Sequence, residues 1–239
     1  MLKYACVTGA DRGLGFELTK KLLENGFTVF AGQFQEKSEK LDLLLQDYPA
    51  KLYLIPLNVT DSDSIRKAKS VISEVTGYLD LLINNAAILG DIEATIADKI
   101  DFDQILNVIN VNALGALRVS NAFYELICKS EQKLIVNISS EAGSISTCER
   151  KSWFGYTMSK STLNMGSAVI HNLLKQMGGQ VILFHPGWMQ THMRGHFDAG
   201  APLTPEQSAA KIIHYVLNQV NKPGDLPVFV DYEGHSMPW

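Results

Sequence analysis

The alternation of short apolar runs with longer amphipathic segments constrains the fold of this chain more than any other feature. The apolar runs occupy residues 4–8, 28–31, 51–56, 79–83, 133–138, 181–185 and 228–230. Between them, apolar residues recur every three to four positions over residues 14–25, 62–75, 103–129, 154–177 and 205–220. Continuous apolar runs are typical of strands covered by helices on both faces. The pattern therefore predicts an α/β fold with one doubly wound parallel sheet of about seven strands and helices on both faces.

Composition and length limit the organisation and the partners of the chain. No linker or internal repeat divides the sequence, so we expect a single domain over residues 1–239. Hydrophobic residues make up 46%, charged residues make up 19%, and the formal net charge is −4. A nucleic-acid surface needs a basic patch to neutralise phosphates, so nucleic acid is not an expected partner.

Cysteine usage and hydropathy favour a cytoplasmic protein. Cys6, Cys128 and Cys148 lie far apart without a C-x-x-C pair, which fits neither a disulfide framework nor a zinc site, and no metal is expected. The first residues run directly into a predicted strand, which leaves no room for a signal peptide. The sequence contains no uninterrupted apolar stretch of about 18 or more residues, so we expect no membrane span.

A glycine-rich turn follows the first predicted strand. Residues 8–15 read T-G-A-D-R-G-L-G and lead into an amphipathic helix. Glycines permit a tight turn and a close backbone approach to a pyrophosphate, and the helix N-terminus offers unpaired N–H groups. A tight turn without any ligand, or the turn of a methyltransferase of similar fold, would have the same glycines.

The spacing T-G-x-x-x-G-x-G resembles the short-chain dehydrogenase/reductase family, which has a Rossmann fold. Further segments resemble that family in the same order: N-N-A-A at 84–87, V-N-A-L-G at 111–115, I-V-N-I-S-S-E-A-G at 135–143, Y-T-M-S-K at 156–160 and H-P-G-W-M-Q-T at 185–191. The resemblance implies cofactor contacts from Gly9, Asp11, Arg12, Gly13, Leu14, Gly15, Asn58, Val59, Asn85, Ala86, Ala87, Tyr156, Lys160, Pro186, Gly187, Met189 and Thr191. Ala87 departs from the glycine that the family usually has, and we expect a small change in the local turn.

The same resemblance implies that Asn112, Ser140, Tyr156 and Lys160 are catalytic. Residues i and i+4 share a helix face, so the Lys160 ammonium can approach the Tyr156 hydroxyl and favour its phenolate. A tyrosine with a pKa of about 10 needs such help to exchange protons near neutral pH. Ser140 would hold the substrate oxygen, and Asn112 would organise a water that relays protons. An asparagine within a buried helix is otherwise unfavourable, which supports a task for Asn112.

Two segments are expected to shape the substrate site. Tyr156 lies 16 residues after Ser140, about three more than is common in the family, so residues 141–155 must bulge. The bulge forms part of the substrate entrance or is a surface loop. Gly195, Gly200 and Pro202 interrupt periodicity over 192–204, where we expect a short, mobile substrate loop. This loop and the last residues resemble the C-factor and sniffer-type carbonyl reductases.

The sequence favours NADP(H) over NAD(H). The second predicted strand ends with neither the acidic residue that binds a free ribose 2′-hydroxyl nor the arginine that binds a 2′-phosphate. Arg12, in the glycine turn, resembles the basic residue of NADP-preferring members. Glu36 stands about where a ribose ligand would, but a solvated helix start explains it as well. Asp11 replaces a small polar residue and either holds Arg12 or caps the helix. Asn58 takes a place where the family often has aspartate, so NAD stays an alternative.

These features predict an oxidoreductase that transfers a hydride between a nicotinamide and a small carbonyl or alcohol substrate, with a carbonyl reductase favoured. A nucleotide-binding sensor that kept the fold without turnover is the alternative from another class. An apolar entrance is indicated by Trp153, Phe154, Trp188, Met189, Met193 and Phe197. The resemblance also implies a homodimer or homotetramer built on helices 103–129 and 154–177, where Gly166, Ser167 and Ala168 permit close helix contact.

Overall fold

The computed structural model describes residues 3–34, 37–218 and 224–239 of the chain. Its strands are β1 (Tyr4–Thr8), β2 (Thr28–Gln33), β3 (Leu52–Pro56), β4 (Leu81–Asn84), β5 (Leu134–Ile138), β6 (Gln180–His185) and β7 (Val228–Asp231). They form a 7-stranded sheet in the order β3-β2-β1-β4-β5-β6-β7. Every neighbouring pair is parallel. The predicted α/β fold with a doubly wound parallel sheet is confirmed.

Helices connect the strands as the sequence pattern predicts, with two differences. They are α1 (Gly13–Glu24), α2 (Glu39–Asp47), α3 (Ser62–Val75), α4 (Phe102–Ile109), α5 (Ala116–Cys128), α6 (Phe154–Leu174) and α7 (Pro205–Asn218). The periodicity over 103–129 did not reveal that a π-helical segment, Asn110–Gly115, separates α4 from α5. The short α2 was not predicted. Glu36 and residues 219–220 of the predicted last helix lie outside the described residues.

Both faces of the sheet are covered by apolar side chains. Successive residues of β1 point to opposite faces, so that Ala5 and Val7 join one core and Cys6 joins the other. The first core packs against α1, α2 and α7, and the second packs against α3 and α5. This two-sided burial explains why the strands read as continuous apolar runs.

The strand order places four turns at one edge of the sheet. β1 pairs with β2 on one side and with β4 on the other, so the direction in which the chain adds strands reverses there. In open parallel sheets, ligands bind at this switch point, outside the carboxyl ends of the strands. The glycine turn, the N-N-A-A segment, the serine pair and the proline-glycine turn all follow such strand ends. In the described part of the chain, no helix has the length and apolar character needed to cross a bilayer.

Candidate active site

The glycine turn between β1 and α1 leaves an open cradle. Gly9 and Gly13 have φ of +63° and +55°. A Cβ at Gly15 would lie 2.1 Å from the Gly9 carbonyl oxygen, whereas a Cβ at Gly13 would meet only the Thr191 methyl group, at 3.7 Å. Helix α1 begins without an acidic residue in its first turn and without a side-chain cap. Its first N–H groups therefore present their partial positive charge to the cradle.

The segment after β4 fixes the shape of this turn. The backbone N–H groups of Asn85 and Ala86 donate to Thr8 Oγ1 at 3.0 and 3.1 Å. Asn85 Nδ2 donates to the carbonyl oxygens of Thr8 and Gly9 at 3.0 and 3.1 Å. Ala87 does not have a positive φ, so alanine at this position strains nothing. The segment therefore acts on the cradle through Asn85 and Ala86.

The predicted turn after β6 forms the opposite wall. Gly187 has φ of +81°, and a Cβ there would approach Leu203 Cδ1 to 2.6 Å. The Pro186 carbonyl accepts a hydrogen bond from Ser208 Oγ at 2.7 Å, and Met189 pairs with Leu203 through a β-bridge. With Thr191 beside Gly13, the two turns face one another across a cleft.

Ser140 is the N-cap of a 3₁₀ turn, Glu141–Gly143, at the carboxyl end of β5. Its hydroxyl accepts a hydrogen bond from the Ala142 N–H at 3.1 Å and donates one to Glu141 Oε2. The neighbouring Ser139 is committed to the core, because its hydroxyl donates to Asn164 Oδ1 at 2.6 Å. This difference agrees with Ser140, and not Ser139, being the functional serine.

Tyr156 and Lys160 lie one turn apart on α6, next to Ser140. The Lys160 amino group donates to the Ile138 carbonyl at 2.7 Å and lies 5.5 Å from the centre of the Tyr156 ring. Burial lowers the pKa of Lys160 to about 7. Burial, followed by the charge of Glu141, raises the pKa of Tyr156, while Ser140 and Arg150 act in the opposite direction. The charges that shift the pKa of Tyr156 therefore come from Glu141 and Arg150. The spacing of Tyr156 and Lys160 on a helix did not predict this source.

Asn112 lies in the π-helical segment and is 2% exposed. Its side chain accepts from the Ile88 N–H and donates to the Ile88 carbonyl, both at 2.8 Å, and also donates to Ser159 Oγ at 3.0 Å. Both N–H bonds of the Asn112 amide are used, so a water beside this residue would have to donate a hydrogen bond to Asn112 Oδ1. The arrangement ties the segment after β4 to α6.

Comparison with known proteins decides the family. Residues 3–201 match the model for the short chain dehydrogenases. The chain belongs to the short-chain dehydrogenase family. Estradiol 17-beta-dehydrogenase 2 of Rattus norvegicus is 32% identical over 200 residues, which cover 82% of this chain and 51% of the rat protein. The chain thus spans about half the length of that relative. C-signal of Myxococcus xanthus is 32% identical over 164 residues, which cover 69% of this chain and 95% of C-signal.

Solved structures of similar fold cover this short-chain dehydrogenase from end to end. Carbonyl reductase Sniffer of D. melanogaster has a TM-score of 0.88 and 25% identity, with 100% of both chains covered. The NADPH-bound carbonyl reductase from chicken fatty liver has a TM-score of 0.87 and 30% identity, with 100% of this chain and 99% of the chicken chain covered. The resemblance to C-factor and sniffer-type proteins is confirmed.

The adenine side of this short-chain dehydrogenase contains Asp11, Arg12, Asn58 and Val59. Arg12 is the exposed N-cap of α1 and forms no ion pair with a residue that the structure describes. Asp11 neither caps the helix nor pairs with Arg12. Its carboxylate accepts a hydrogen bond from the Phe34 N–H at 3.1 Å, just beyond β2. Asn58 Oδ1 accepts hydrogen bonds from the Thr60 N–H and hydroxyl at 3.0 and 2.8 Å. Val59 is buried.

Three residues that the motifs did not single out surround Ser140. Arg150 pairs with Glu141 Oε1. The Glu141 N–H donates to His185 Nδ1 at 3.2 Å. Burial lowers the pKa of His185, while the charges of Glu141 and Asp231 act in the opposite direction. The long spacing between Ser140 and Tyr156 was the sequence signal for this cluster, because Arg150 comes from the bulge.

The entrance is built from aromatic rings and guanidinium groups. Trp153 lies edge-on to Tyr156, with ring centres 5.9 Å apart, and has φ of +73° immediately before α6. Arg150 and Arg194 lie 5.1 and 5.7 Å from the Trp153 ring centre. Arg194 also lies 5.9 Å from the ring of Trp188, which is 51% exposed. The bulge and the loop after Thr191 therefore meet at Trp153, beside Tyr156.

Proposed function

We propose that this chain is an NADP(H)-dependent carbonyl reductase that interconverts a small carbonyl compound and its alcohol. One observation carries the proposal. Ser140 and Tyr156 lie together at the carboxyl end of the sheet, beside the cradle formed by the glycine turn and the Pro186-Gly187 turn. Two solved carbonyl reductases share the fold over essentially the whole chain, which supports the same reaction class.

The cleft fits a dinucleotide. A side chain at Gly13 would fill the space between the two turns, and the uncapped start of α1 offers N–H donors to a pyrophosphate there. The Lys160 ammonium is nearly buried and donates to Ile138, which leaves it further donors for ribose hydroxyls. NADP(H), when bound, supplies or accepts the hydride.

The side chains would divide the remaining work. Tyr156 would give its proton to the carbonyl oxygen in reduction and take it back in oxidation. Ser140 would turn its hydrogen from Glu141 Oε2 to that oxygen and hold the oxygen by a hydrogen bond, and Lys160 would hold the ribose and bring positive charge toward Tyr156. Asn112 would orient the segment after β4 and accept a hydrogen bond from a relay water. Each role depends on positioning, because the protein itself does not carry the hydride.

The choice between the two nucleotides depends on Arg12 and Asp11. Arg12 has no partner among the described residues and lies at the start of α1, where it can pair with a 2′-phosphate. The Asp11 carboxylate favours NAD(H) instead, because its hydrogen bond to Phe34 places it at the end of β2, where an acidic residue binds a free 2′-hydroxyl. We favour NADP(H), because Asp11 is already engaged with the backbone.

The substrate would enter between the bulge and the loop over 192–204. Trp188, Met193 and Phe197 are exposed there, which suits an apolar aldehyde, ketone or quinone. The fold over residues 1–239 would then work as one catalytic domain, with residues 192–204 as its substrate loop.

Turnover of a panel of aldehydes, ketones and quinones tests this function. The loss of reduced nicotinamide would be followed with NADPH and with NADH, and the dissociation constants of both nucleotides would be measured in parallel. We expect turnover with NADPH and a smaller dissociation constant for NADPH than for NADH. Tight binding without turnover across the panel would favour a nucleotide sensor. Tighter binding of NADH would overturn the choice of NADP(H).

A further inference from the structure

The Ser140 hydroxyl hydrogen is already committed to a neighbour. Ser140 Oγ donates to Glu141 Oε2 and accepts from the Ala142 N–H at 3.1 Å. A serine hydroxyl has one hydrogen to give and two lone pairs to offer. A hydrogen bond from Ser140 lowers the pKa of Tyr156, so Glu141 and a Tyr156 phenolate compete for this one hydrogen, whereas a protonated Tyr156 can donate to the remaining lone pair.

The groups around Glu141 favour its ionised carboxylate, which only accepts hydrogen bonds. Burial opposes ionisation of this carboxyl group, but the hydrogen bond from Ser140 and the charges of His185 and Arg150 outweigh it and hold the pKa of Glu141 below its ordinary value. Arg150 pairs with Oε1, while Oε2 accepts from Ser140, so the two oxygens have different partners. The Glu141 backbone N–H donates to His185 Nδ1 at 3.2 Å, which anchors the residue to the end of β6.

We propose that Glu141 is a positioning residue that takes the Ser140 hydrogen and thereby keeps Tyr156 protonated, with Arg150 from the bulge limiting the effect of its charge. A phenolate at Tyr156 would have to compete with Glu141 for the Ser140 hydrogen and would face the Glu141 carboxylate. A protonated Tyr156 has one hydrogen, which it can give to Ser140 in the free protein or to a substrate oxygen in the complex, without either penalty. The chain is thereby biased toward donating a proton to a carbonyl, which is the reductive direction. This inference rests on the proposed function.

Several charged or titratable groups act on Tyr156 or on Glu141. Lys160 approaches the tyrosine ring from α6, and Arg150 and Glu141 approach from the bulge and the 3₁₀ turn. His185 lies at the end of β6, where the β7 residue Asp231 acts on it. Arg194 lies across the Trp153 ring. Among these groups, Glu141 is the one that both bonds to Ser140 and raises the pKa of Tyr156.

The proposal predicts opposite shifts for two single substitutions. Glu141→Gln keeps an oxygen that accepts from Ser140 but removes the charge, so the apparent pKa of Tyr156 should fall by about one pH unit. Glu141→Ala also releases the Ser140 hydrogen to the phenolate, so the fall should be larger. Arg150→Gln removes a nearby cation, so the apparent pKa should rise. Glu149→Gln removes the same charge at an exposed position of the bulge and should have no effect.

Two readouts would be measured for each variant. The first is the pH dependence of kcat/KM, where reduction should decline and oxidation should rise through the apparent pKa of Tyr156. The second is an ultraviolet titration of tyrosinate in the nucleotide-free protein, with the same variant carrying Tyr156→Phe subtracted to isolate Tyr156. The titration needs no turnover, so it tests the role of Glu141 even if no substrate is found and the proposed function fails.

Opposite shifts for Glu141→Gln and Arg150→Gln, with none for Glu149→Gln, would support the proposal. Unchanged titration in Glu141→Gln, or a rise in the apparent pKa, would overturn it. Equal shifts of the apparent Tyr156 pKa in Glu141→Gln and Glu141→Ala would show that Glu141 does not hold the Ser140 hydrogen. If Glu141→Gln does not fold, Arg150→Gln decides alone, because a fall or no change in the Tyr156 pKa contradicts the proposed balance of charges.

Discussion

Lys160 carries an amino group into the interior beside the candidate site. The residue is 2% exposed, and among the described residues its nitrogen donates to a backbone carbonyl and not to a carboxylate. Removing an ammonium from water costs free energy unless an opposite charge compensates, which is why burial lowers the pKa of Lys160 to about 7. The site therefore holds a lysine that is close to half charged near neutral pH.

This burial predicts how stability depends on pH. In the unfolded chain Lys160 keeps its ordinary pKa of 10.5, whereas in the folded chain its pKa is about 7. Below about pH 7, Lys160 is protonated in both the folded and the unfolded chain, and the full free-energy cost of burying its charge applies. Between about pH 7 and pH 10.5 the unfolded chain binds more protons than the folded chain, so the free energy of unfolding rises with pH. Lys160→Met abolishes this dependence. Relative to Lys160→Met, the nucleotide-free wild type should gain about 2 kcal/mol between about pH 7 and about pH 9.

Urea unfolding of both proteins at the two pH values measures the gain directly, and Lys67→Met controls for the loss of an ammonium at an exposed position. The lost hydrogen bond to Ile138 affects the variant equally at both values and cancels. A stability difference that does not change with pH would show that Lys160 is not titrating as its burial requires.

At the residue scale, sequence spacing was sufficient to predict which side chains meet wherever a regular helix fixes the direction of those side chains. Residues i and i+4 meet on any helix, so Tyr156 and Lys160 could be paired from sequence. Glu141 and Arg150 could not, because the loop between them has no period and their approach depends on tertiary contacts. Asp11 also differed from its two expected roles, since its carboxylate accepts a hydrogen bond from the Phe34 N–H just beyond β2.

At the scale of elements, the β1–α1 unit depends on a glycine that no other residue can replace. A Cβ at Gly15 would lie 2.1 Å from the Gly9 carbonyl oxygen and 2.5 Å from Asn85 Nδ2. Both atoms belong to the hydrogen bond that holds the turn in shape. The turn and the start of the helix would therefore have to separate to admit a methyl group.

We predict that Gly15→Ala lowers the free energy of unfolding by about 3 kcal/mol through overpacking and abolishes nucleotide binding. The matched control is Gly77→Ala after α3, at an exposed position where a Cβ would meet nothing within 4 Å. That substitution should stabilise the chain by about 0.4–1 kcal/mol, because alanine reduces the conformational freedom of the unfolded chain. Denaturant unfolding and nucleotide titration of both variants check the pair. Equal stability of the two variants would contradict the close approach at Gly15.

Elements with strong periods were predictable, and local departures from regular geometry were not. The π-helical turn adds one residue to a helical period, and an apolar pattern over 103–129 hardly registers that change. Helix α2 is 9 residues long and buries only Leu41 and Leu44, too few positions to establish a period. The left-handed backbone of Trp153 is unfavourable for a bulky residue, and it persists beside two stacked guanidinium groups that no local propensity encodes.

At the scale of the whole molecule, an apolar surface on α5 and α6 has no partner among the residues that the structure describes. Leu117, Met165 and Val169 are 45%, 68% and 64% exposed. A groove of about 420 Å³ runs between these helices and contains Gly166. Exposed apolar surface of this kind is typical of contacts between copies, and the predicted homodimer or homotetramer would bury it.

We expect the wild type to have the mass of a dimer or tetramer in size-exclusion chromatography with light scattering. Met165→Glu should shift it to the monomer, because each copy would place a charge in the contact. Leu43→Glu introduces the same charge on α2, at a residue that is 62% exposed, and should leave the mass unchanged. A monomeric wild type, or an oligomer that tolerates Met165→Glu, would contradict an interface on α5 and α6.

The fold at this scale was almost fully predictable, because alternating strands and helices allow few topologies. The chain order of the motifs then fixed which turns meet at the switch point. The arrangement of bulge, substrate loop and C-terminal segment was not predictable, since it depends on contacts such as that of Ser146 with Trp239, far apart in sequence.

The central claim is that Tyr156 exchanges the proton in a nicotinamide-dependent reaction, and one comparison tests it most directly. Wild type and Tyr156→Phe would be titrated with NADPH, and turnover of one carbonyl substrate from the panel would then be measured. The account predicts a nearly unchanged NADPH dissociation constant and a loss of kcat by at least about 10²-fold, since proton transfer by a positioned side chain contributes about 10²–10⁴-fold. Turnover by Tyr156→Phe at a rate near that of the wild type would contradict the account.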